Sequence, residues 1–209
     1  MKNIFLKSKR IFDFVLSLVL IFILSPLMLL ISIAIILESK GGAIFKQKRI
    51  GKNKKIFTIY KFRSMYLNDS EIINQYKQVV LSDESDKRIT KVGLIIRKTS
   101  FDEIPQLFNI LKGQMSFIGP RPILEEQLDA MEGIFHKRFS LLPGLSGLAQ
   151  IKGRRKLNWL KQLQFDNEYI ENVSFYLDFL IFIRTFFVLF SVNDIYGNDL
   201  DNWRNYLKK

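Results

Sequence analysis

Two adjacent carboxylates, Asp102 and Glu103, stand between cations: Arg97 and Lys98 lie just upstream, and Arg121 follows inside Pro120-Arg121-Pro122. That grouping suits chemistry on an anion. A carboxylate can attack phosphorus to give an acyl phosphate, as aspartyl-phosphate enzymes do. A neighbouring glutamate would then offer hard oxygen to Mg2+, while Arg97 and Arg121 would screen the acid pair from a phosphate. The same spacing also fits a plainer role, with Asp102 capping a helix and Glu103 a solvated first-turn acid. Spacing alone leaves the two readings open.

The element that must hold these acids is readable. Ile104, Leu107, Phe108 and Leu111 recur at helical spacing, which predicts a helix to about Lys112 that stops at Gly113. Proline is tolerated only in a first helical turn, so Pro105 favours Asp102 as N-cap. In a rival register Ser100 and Glu103 form a capping box. Either way Asp102 sits at a helix N-terminus, a place that accepts phosphate.

Thr99-Ser100-Phe101-Asp102-Glu103-Ile104-Pro105-Gln106-Leu107, then Gly113-Gln114-Met115-Ser116 and Ile118-Gly119-Pro120-Arg121-Pro122, resemble the corresponding blocks of the bacterial sugar transferases. These are monotopic phosphoglycosyl transferases that start glycan assembly on polyprenyl phosphate. The resemblance extends over most of the chain. Lys61-Phe62-Arg63-Ser64-Met65 matches a further block, as does Pro143-Gly144-Leu145-Ser146-Gly147 through Arg154, with Ser146 where threonine is usual. Asp86 to Thr90 is similar to the lead-in to the family's catalytic helix, with Lys87 where proline is common.

The resemblance implies transfer of a sugar phosphate from a UDP-sugar to undecaprenyl phosphate, with release of the nucleoside monophosphate. It further implies a two-step exchange in which Asp102 attacks the sugar-bearing phosphate and polyprenyl phosphate then attacks the phospho-aspartyl intermediate. Glu103, with Asp102, would hold Mg2+, and Arg97 and Arg121 would neutralise developing charge. Lys61, Arg63, Gln150 and Arg154 are further candidate contacts to the nucleotide or its diphosphate. For Lys61 and Arg63 the bland alternative is two solvated charges on an edge strand.

Composition narrows the field. With no cysteine there are no disulfides or thiolate metal sites, and a single histidine, His136, rules out a multi-histidine metal cluster. His136 reads as a structural or surface residue. The formal charge is +12, but residues 1–55 carry 11 Lys/Arg against 2 Asp/Glu, whereas residues 56–209 carry 21 against 18. Positive charge flanks the most apolar stretch, a membrane pattern rather than a nucleic-acid one. No groove-reading motif interleaves it, so nucleic acid is not an expected partner.

Phe14 to Leu37 is uncharged for 24 residues. As a straight helix it would reach roughly 36 Å, enough to cross a bilayer core of about 30 Å. Ser25-Pro26 at its centre predicts a break into halves too short to span. Both flanks are basic, which a single crossing cannot reconcile with the positive-inside rule. A re-entrant hairpin reconciles both, with Ser25 bonding a carbonyl that Pro26 frees; a kinked transmembrane helix is the alternative. The family resemblance points to the re-entrant form. The large family members carry extra transmembrane helices ahead of the catalytic unit, and the short N-terminus argues against that class.

Residues 43–62 alternate in strand fashion around Gly51 to Lys54, predicting a β-hairpin. The family usually has glycine at Lys54, so Asn53 is expected to take the positive-φ position. Glu71 to Leu81 reads as a short helix, and Glu125 to Phe139 as a helix with Leu128, Met131, Ile134 and Phe135 on one stripe. Phe165 to Asn172 continues helical. Residues 174–191, interrupted by Asp178 and Arg184, fit an interfacial helix in the membrane plane or a buried core helix.

The expected fold is α+β and mainly helical: a membrane-embedded re-entrant N-terminal helix, a small β-hairpin, a catalytic helix and interfacial amphipathic helices. Residues 1–40 would anchor, 41–192 would form the catalytic domain, and 193–209 a polar tail. Membrane lipids are the implied surroundings, at the cytoplasmic face of the bacterial inner membrane. A catalytically silent membrane scaffold is the competing class. Neither the sugar, nor the pathway, nor the oligomeric state, a homodimer included, can be read from these residues.

Overall fold

The computed structural model describes residues 2–67, 86–131, 133–153, 157–190 and 203–206. The expected helix Glu71 to Leu81, Arg154 and most of the C-terminal tail lie outside the described residues.

Helix α1 (Lys2–Glu38) takes up the whole apolar segment. It runs through Pro26 without dividing into two halves, so the expected break at Ser25-Pro26 does not form. The reason is local. Pro26 lacks the N–H that would bond the Phe22 carbonyl, and Ser25 Oγ donates to that oxygen instead at 2.8 Å. The inward stripe includes Asp13, Ser17, Ile31 and Ile35, all under a tenth exposed. Leu16, Leu20 and Leu24 pack on the main core, and Leu27, Met28, Ile31 and Ile35 on a cluster with Ala43, Phe62 and Ile96.

The opposite face of α1 carries Ile11, Phe12, Leu18, Phe22, Ile23, Leu29, Leu30 and Leu37, all more than half exposed. Counting the rest of this face, covering it would be worth on the order of 15–25 kcal/mol. That exceeds the whole stability of an ordinary domain, about 5–15 kcal/mol. Such a surface belongs in lipid, and α1 makes this a membrane-associated protein.

Strands β1 (Ile44–Ile50) and β2 (Ile56–Phe62) form the expected antiparallel hairpin, with Ile44 opposite Phe62 and Ile50 opposite Ile56. Asn53 takes positive φ at 54°, and Lys54 also does, at 59°. Glycine suits that second position better, since a side chain there is strained.

Helix α2 (Lys91–Lys98), which the sequence reading did not foresee, is capped twice. Thr90 Oγ1 accepts from Gly93 N, and the Glu38 carboxylate, at the end of α1, accepts from the Lys91 and Val92 N–H groups. Gly93 is required for space: a Cβ there would sit 2.1 Å from the Ser64 carbonyl. A 3-10 segment, Phe101–Gln106, leads into α3 (Leu107–Leu111), and Gly113 ends it at φ 77°. Asp102 is therefore inside the first turn rather than N-cap. Ser100 takes the N-cap position in left-handed backbone but makes no side-chain cap bond, so neither expected capping register holds.

Strands β3 (Ser116–Ile118) and β4 (Gly144–Ser146) pair in parallel. The backbones beyond them touch: a Cβ on Gly144 or Gly147 would fall 2.1–2.2 Å from Gly119 main-chain atoms. The expected Glu125 to Phe139 helix is instead two 3-10 segments, Glu125–Gln127 and Gly133–Ser140, and Ile134 is 62% exposed. Gly133 weakens a helix at that point, and 3-10 spacing lets both Phe135 and Arg138 be buried, three residues apart.

Helices α4 (Leu148–Lys152), α5 (Trp159–Glu171) and α6 (Phe175–Phe190) complete the described chain, with a last turn Trp203–Tyr206. Ile181 of α6 is fully buried in the core, while Phe175, Tyr176, Phe179, Phe186 and Phe187 face outward. The fold is mainly helical α+β.

Candidate active site

The acid pair and three elements converge. Lys61, near the end of β2, donates to Glu103 Oε1 at 2.7 Å, and Arg121 Nη2 donates to the same oxygen at 2.8 Å. Lys61 Nζ is also 3.8 Å from Asp102 Oδ2. The Asp102 and Glu103 side chains keep 16% and 18% exposure, and Arg121 keeps 49%. Alternation along β2 aims Lys61 at the acids, and the turn after β3 brings Arg121 from the other side.

The two acids differ electrostatically. Burial raises the Asp102 carboxyl, and the neighbouring Glu103 charge adds to this against the pull of Lys61, Arg97 and Arg121. Burial also opposes ionisation of Glu103, but Arg121 and Lys61 outweigh it and hold that carboxyl well below the usual range. Glu103 in turn holds the Arg121 guanidinium further charged. One acid is clamped between two cations; the other accepts no hydrogen bond among the described residues.

Arg97, at the end of α2, acts on Asp102 through its charge. Gln150, in α4, has both amide atoms buried without a partner among the described residues and neighbours Gly147, which itself touches Gly119. Arg63 is not part of this cluster. It is 4% exposed, and its guanidinium donates to the carbonyls of Ser39, Lys40, Gly41 and Gly42 at 2.7–3.2 Å. The phosphate contact expected of Arg63 is thus corrected: the residue clasps the loop leaving α1, because four main-chain acceptors left without partners at a helix end outbid any external anion for a buried fork of donors.

Arg49 of β1 was not foreseen. Burial lowers its guanidinium to about 10, and neighbouring Arg121 adds to the effect while Glu103 opposes it. Its Nη2 donates to Gln47 Oε1, and its Nε is buried without a partner among the described residues. With Lys61, Arg97 and Arg121 it gives the acid pair a cationic surround, with Glu126 also facing Arg49 and Asp86 facing Arg97. Arg138 and Asp166, also unforeseen, form a buried ion pair at 2.8 Å behind Arg121. Nothing in their spacing marks them, since the partners lie on separate elements.

Two hard carboxylates with one unclaimed fit Mg2+, which commonly takes one or two protein carboxylates and fills the rest of its shell with phosphate and water. Among the described residues no group of three His, Cys, Asp or Glu collects, so a complete protein cage is not built here. A cavity of about 350 Å3 lies elsewhere, lined by Met131, Phe135, Trp159, Leu163 and Tyr206 among others, and holds none of these residues.

Residues 4–192 match a family described as bacterial sugar transferase. The chain is 37% identical over 190 residues to the undecaprenyl-phosphate galactose phosphotransferase of Salmonella typhimurium, covering 85% of this chain and 39% of that one. It is 36% identical to the exopolysaccharide production protein ExoY of Rhizobium meliloti, covering 85% and 83%. It is 40% identical to a UDP-N-acetylgalactosamine-undecaprenyl-phosphate N-acetylgalactosaminephosphotransferase of Aeromonas hydrophila, covering 85% and 42%. The chain thus spans about two fifths of the Salmonella and Aeromonas relatives and most of ExoY. With its acid pair at the centre of the matched region, this chain belongs to the bacterial sugar transferase family.

Proposed function

We propose that the protein transfers a sugar 1-phosphate from a UDP-sugar to undecaprenyl phosphate, at the cytoplasmic face of a bacterial inner membrane, as the first step of building an exopolysaccharide, capsule, O-antigen or glycoprotein glycan. The names of the relatives support the reaction class, and they differ in the sugar, so the donor is left to experiment. The observation that carries the reading is the asymmetry of the acid pair: Glu103 accepts from Lys61 and Arg121, whereas Asp102 beside it accepts no hydrogen bond among the described residues and has Lys61 Nζ only at 3.8 Å.

Asp102 supplies the attacking oxygen. An Oδ forms a bond to the phosphorus that bears the sugar, and the bond from that phosphorus to the bridging oxygen breaks, with the electron pair leaving on UMP. An oxygen of undecaprenyl phosphate then attacks the same phosphorus, the bond to Asp102 breaks, and the carboxylate is regenerated. A raised carboxyl pKa makes the ionised oxygen more basic and so a better nucleophile. Lys61, Arg97 and Arg121 face the charge that builds on the phosphoryl oxygens. Bound through Glu103 and Asp102, Mg2+ would neutralise the diphosphate.

Both ends of α1 are tied to one domain. Arg10 donates to the carbonyls of Ile110 and Leu111 at one end, and Glu38 accepts from α2 at the other. A helix held by both ends, unbroken at Pro26, keeps those ends on one side of the membrane, which supports a non-crossing disposition and lets a soluble donor meet a lipid-dissolved acceptor. The decisive experiment is UMP release by purified protein from UDP-galactose, UDP-glucose and UDP-N-acetylgalactosamine, with and without undecaprenyl phosphate and Mg2+. Release that requires Mg2+ and is lost in Asp102→Asn supports the mechanism; near-wild-type turnover by that variant removes Asp102 as nucleophile.

A further inference from the structure

Arg121 reaches Glu103 from a segment that is poorly equipped to hold itself. Prolines on both sides leave Pro120 and Pro122 without N–H donors, so this stretch is fixed chiefly through its carbonyls. Three are held: Gly144 N donates to Pro120 O at 2.9 Å, Ile50 N donates to Ile123 O at 2.9 Å, and Arg138 Nη2 donates to Arg121 O at 2.6 Å. Two of these donors are main chain. The third is a side chain, the one a substitution can remove.

Arg138 is built for that task. It is 4% exposed, and the same Nη2 pairs with Asp166 Oδ2 of α5 at 2.8 Å. It lines, with Gly51, Pro120, Arg121 and Pro122, a cavity of about 10 Å3, room for one water molecule. A buried ion pair of this kind contributes little net stability, since desolvation offsets its attraction. Its placement against the main chain of Arg121 gives it a different use.

We propose that Arg138, oriented by Asp166, is a positioning residue: by holding the Arg121 carbonyl it aims the Arg121 guanidinium at Glu103 and at the phosphates of the donor. The kinetic part of this proposal rests on the transferase reading; the geometric part does not. Arg138→Met alone would strand Asp166 as an uncompensated buried charge and unfold the region for an unrelated reason. The variant to make is Arg138→Met with Asp166→Leu, which removes both charges and keeps volume, a change buried pairs tolerate.

The experiment is a structure of the full-length double variant, together with UMP release using whichever of the three UDP-sugars the wild type accepts. The expected result is a folded protein in which Arg121 Nη2 moves from 2.8 Å to beyond 4 Å from Glu103 Oε1. Turnover should fall at least tenfold with the donor KM changed less than threefold. In an Arg121→Lys background the same pair of changes should cost no more than twofold further. An Arg121–Glu103 contact preserved in the variant overturns the proposal, as does a full tenfold loss repeated in the Arg121→Lys background. If the double variant does not fold, Arg138→Lys, which keeps a charge for Asp166 but is too short to reach the Arg121 carbonyl at the same time, is read by the same distance. If wild-type protein releases no UMP from any donor, the transferase reading fails, and the distance still decides the positioning role.

Discussion

Replacing Arg63 by methionine separates two roles that a buried arginine near an active site could have. The guanidinium makes four hydrogen bonds of 2.7–3.2 Å to consecutive carbonyls from Ser39 to Gly42. A hydrogen bond of this sort is worth about 0.5–1.5 kcal/mol net. Lys40, Gly41 and Gly42 are exposed, so their carbonyls regain water and the lower half of the range applies. Methionine keeps most of the aliphatic packing, which leaves a loss of about 2–4 kcal/mol. For a chain of this size each kcal/mol lowers Tm by about 2–4 °C, so the expected drop is about 4–16 °C in thermal unfolding of detergent-solubilised or nanodisc-embedded protein. UMP release, normalised to the folded fraction below that transition, should show a donor KM within twofold of wild type. A variant that unfolds at the wild-type temperature but needs tenfold more donor would refute the clasp and restore Arg63 as a phosphate contact.

Four further outcomes can be checked. Because the chain has no cysteine, single cysteines at Lys7 and Lys46 report sidedness; a membrane-impermeant maleimide should label both from the same side of sealed vesicles, and opposite-side labelling would mean a crossing helix. Asp102→Asn should lose UMP release by at least a thousandfold, whereas Glu103→Gln should leave some turnover with a raised Mg2+ requirement, both read by the same assay. Gly93→Ala places a methyl 2.1 Å from the Ser64 carbonyl, a backbone clash that costs roughly 3 kcal/mol or more and should show as lost folded yield. Lys54→Gly relieves a positive φ of 59°; strain relief of about 1–2 kcal/mol exceeds the entropy glycine adds to the unfolded chain, so Tm should rise by a few degrees.

What could be read in the sequence was whatever local chemistry dictates. Gly113 marked its stop because positive φ is cheap only there, Asn53 took the turn for the same reason, and Ser25 met the carbonyl that Pro26 abandons. A place for Arg121 near the acid pair followed from charge and the family pattern, but its direct clamp on Glu103 did not. Less visible was anything that depends on where distant segments touch. Arg63 looked like a phosphate ligand because its rival acceptors, the carbonyls of 39–42, carry no side-chain signature. The parallel pairing of β3 with β4 is three residues on each side, too short for a period, and is fixed by glycines whose need for contact appears only in three dimensions. Residues 125–139 kept a helical stripe on paper, but Gly133 and the burial of Arg138 set a tighter coil. The ion pair of Arg138 with Asp166 joins segments nearly thirty residues apart and left no motif.

The junction between α1 and the rest of the chain bears on how such a protein can be rebuilt. Ile31 and Ile35 are core residues, Glu38 caps α2, and Arg63 reaches back to grip the exit loop. The anchor is therefore not a tether that can be cut to leave the rest of the fold intact, nor exchanged for another apolar helix of equal length. A replacement would have to reproduce one buried stripe and two capping ends. Modular transplantation, which works where a linker separates anchor from catalyst, has no seam to use here, and the lipid-facing and water-facing halves must change together.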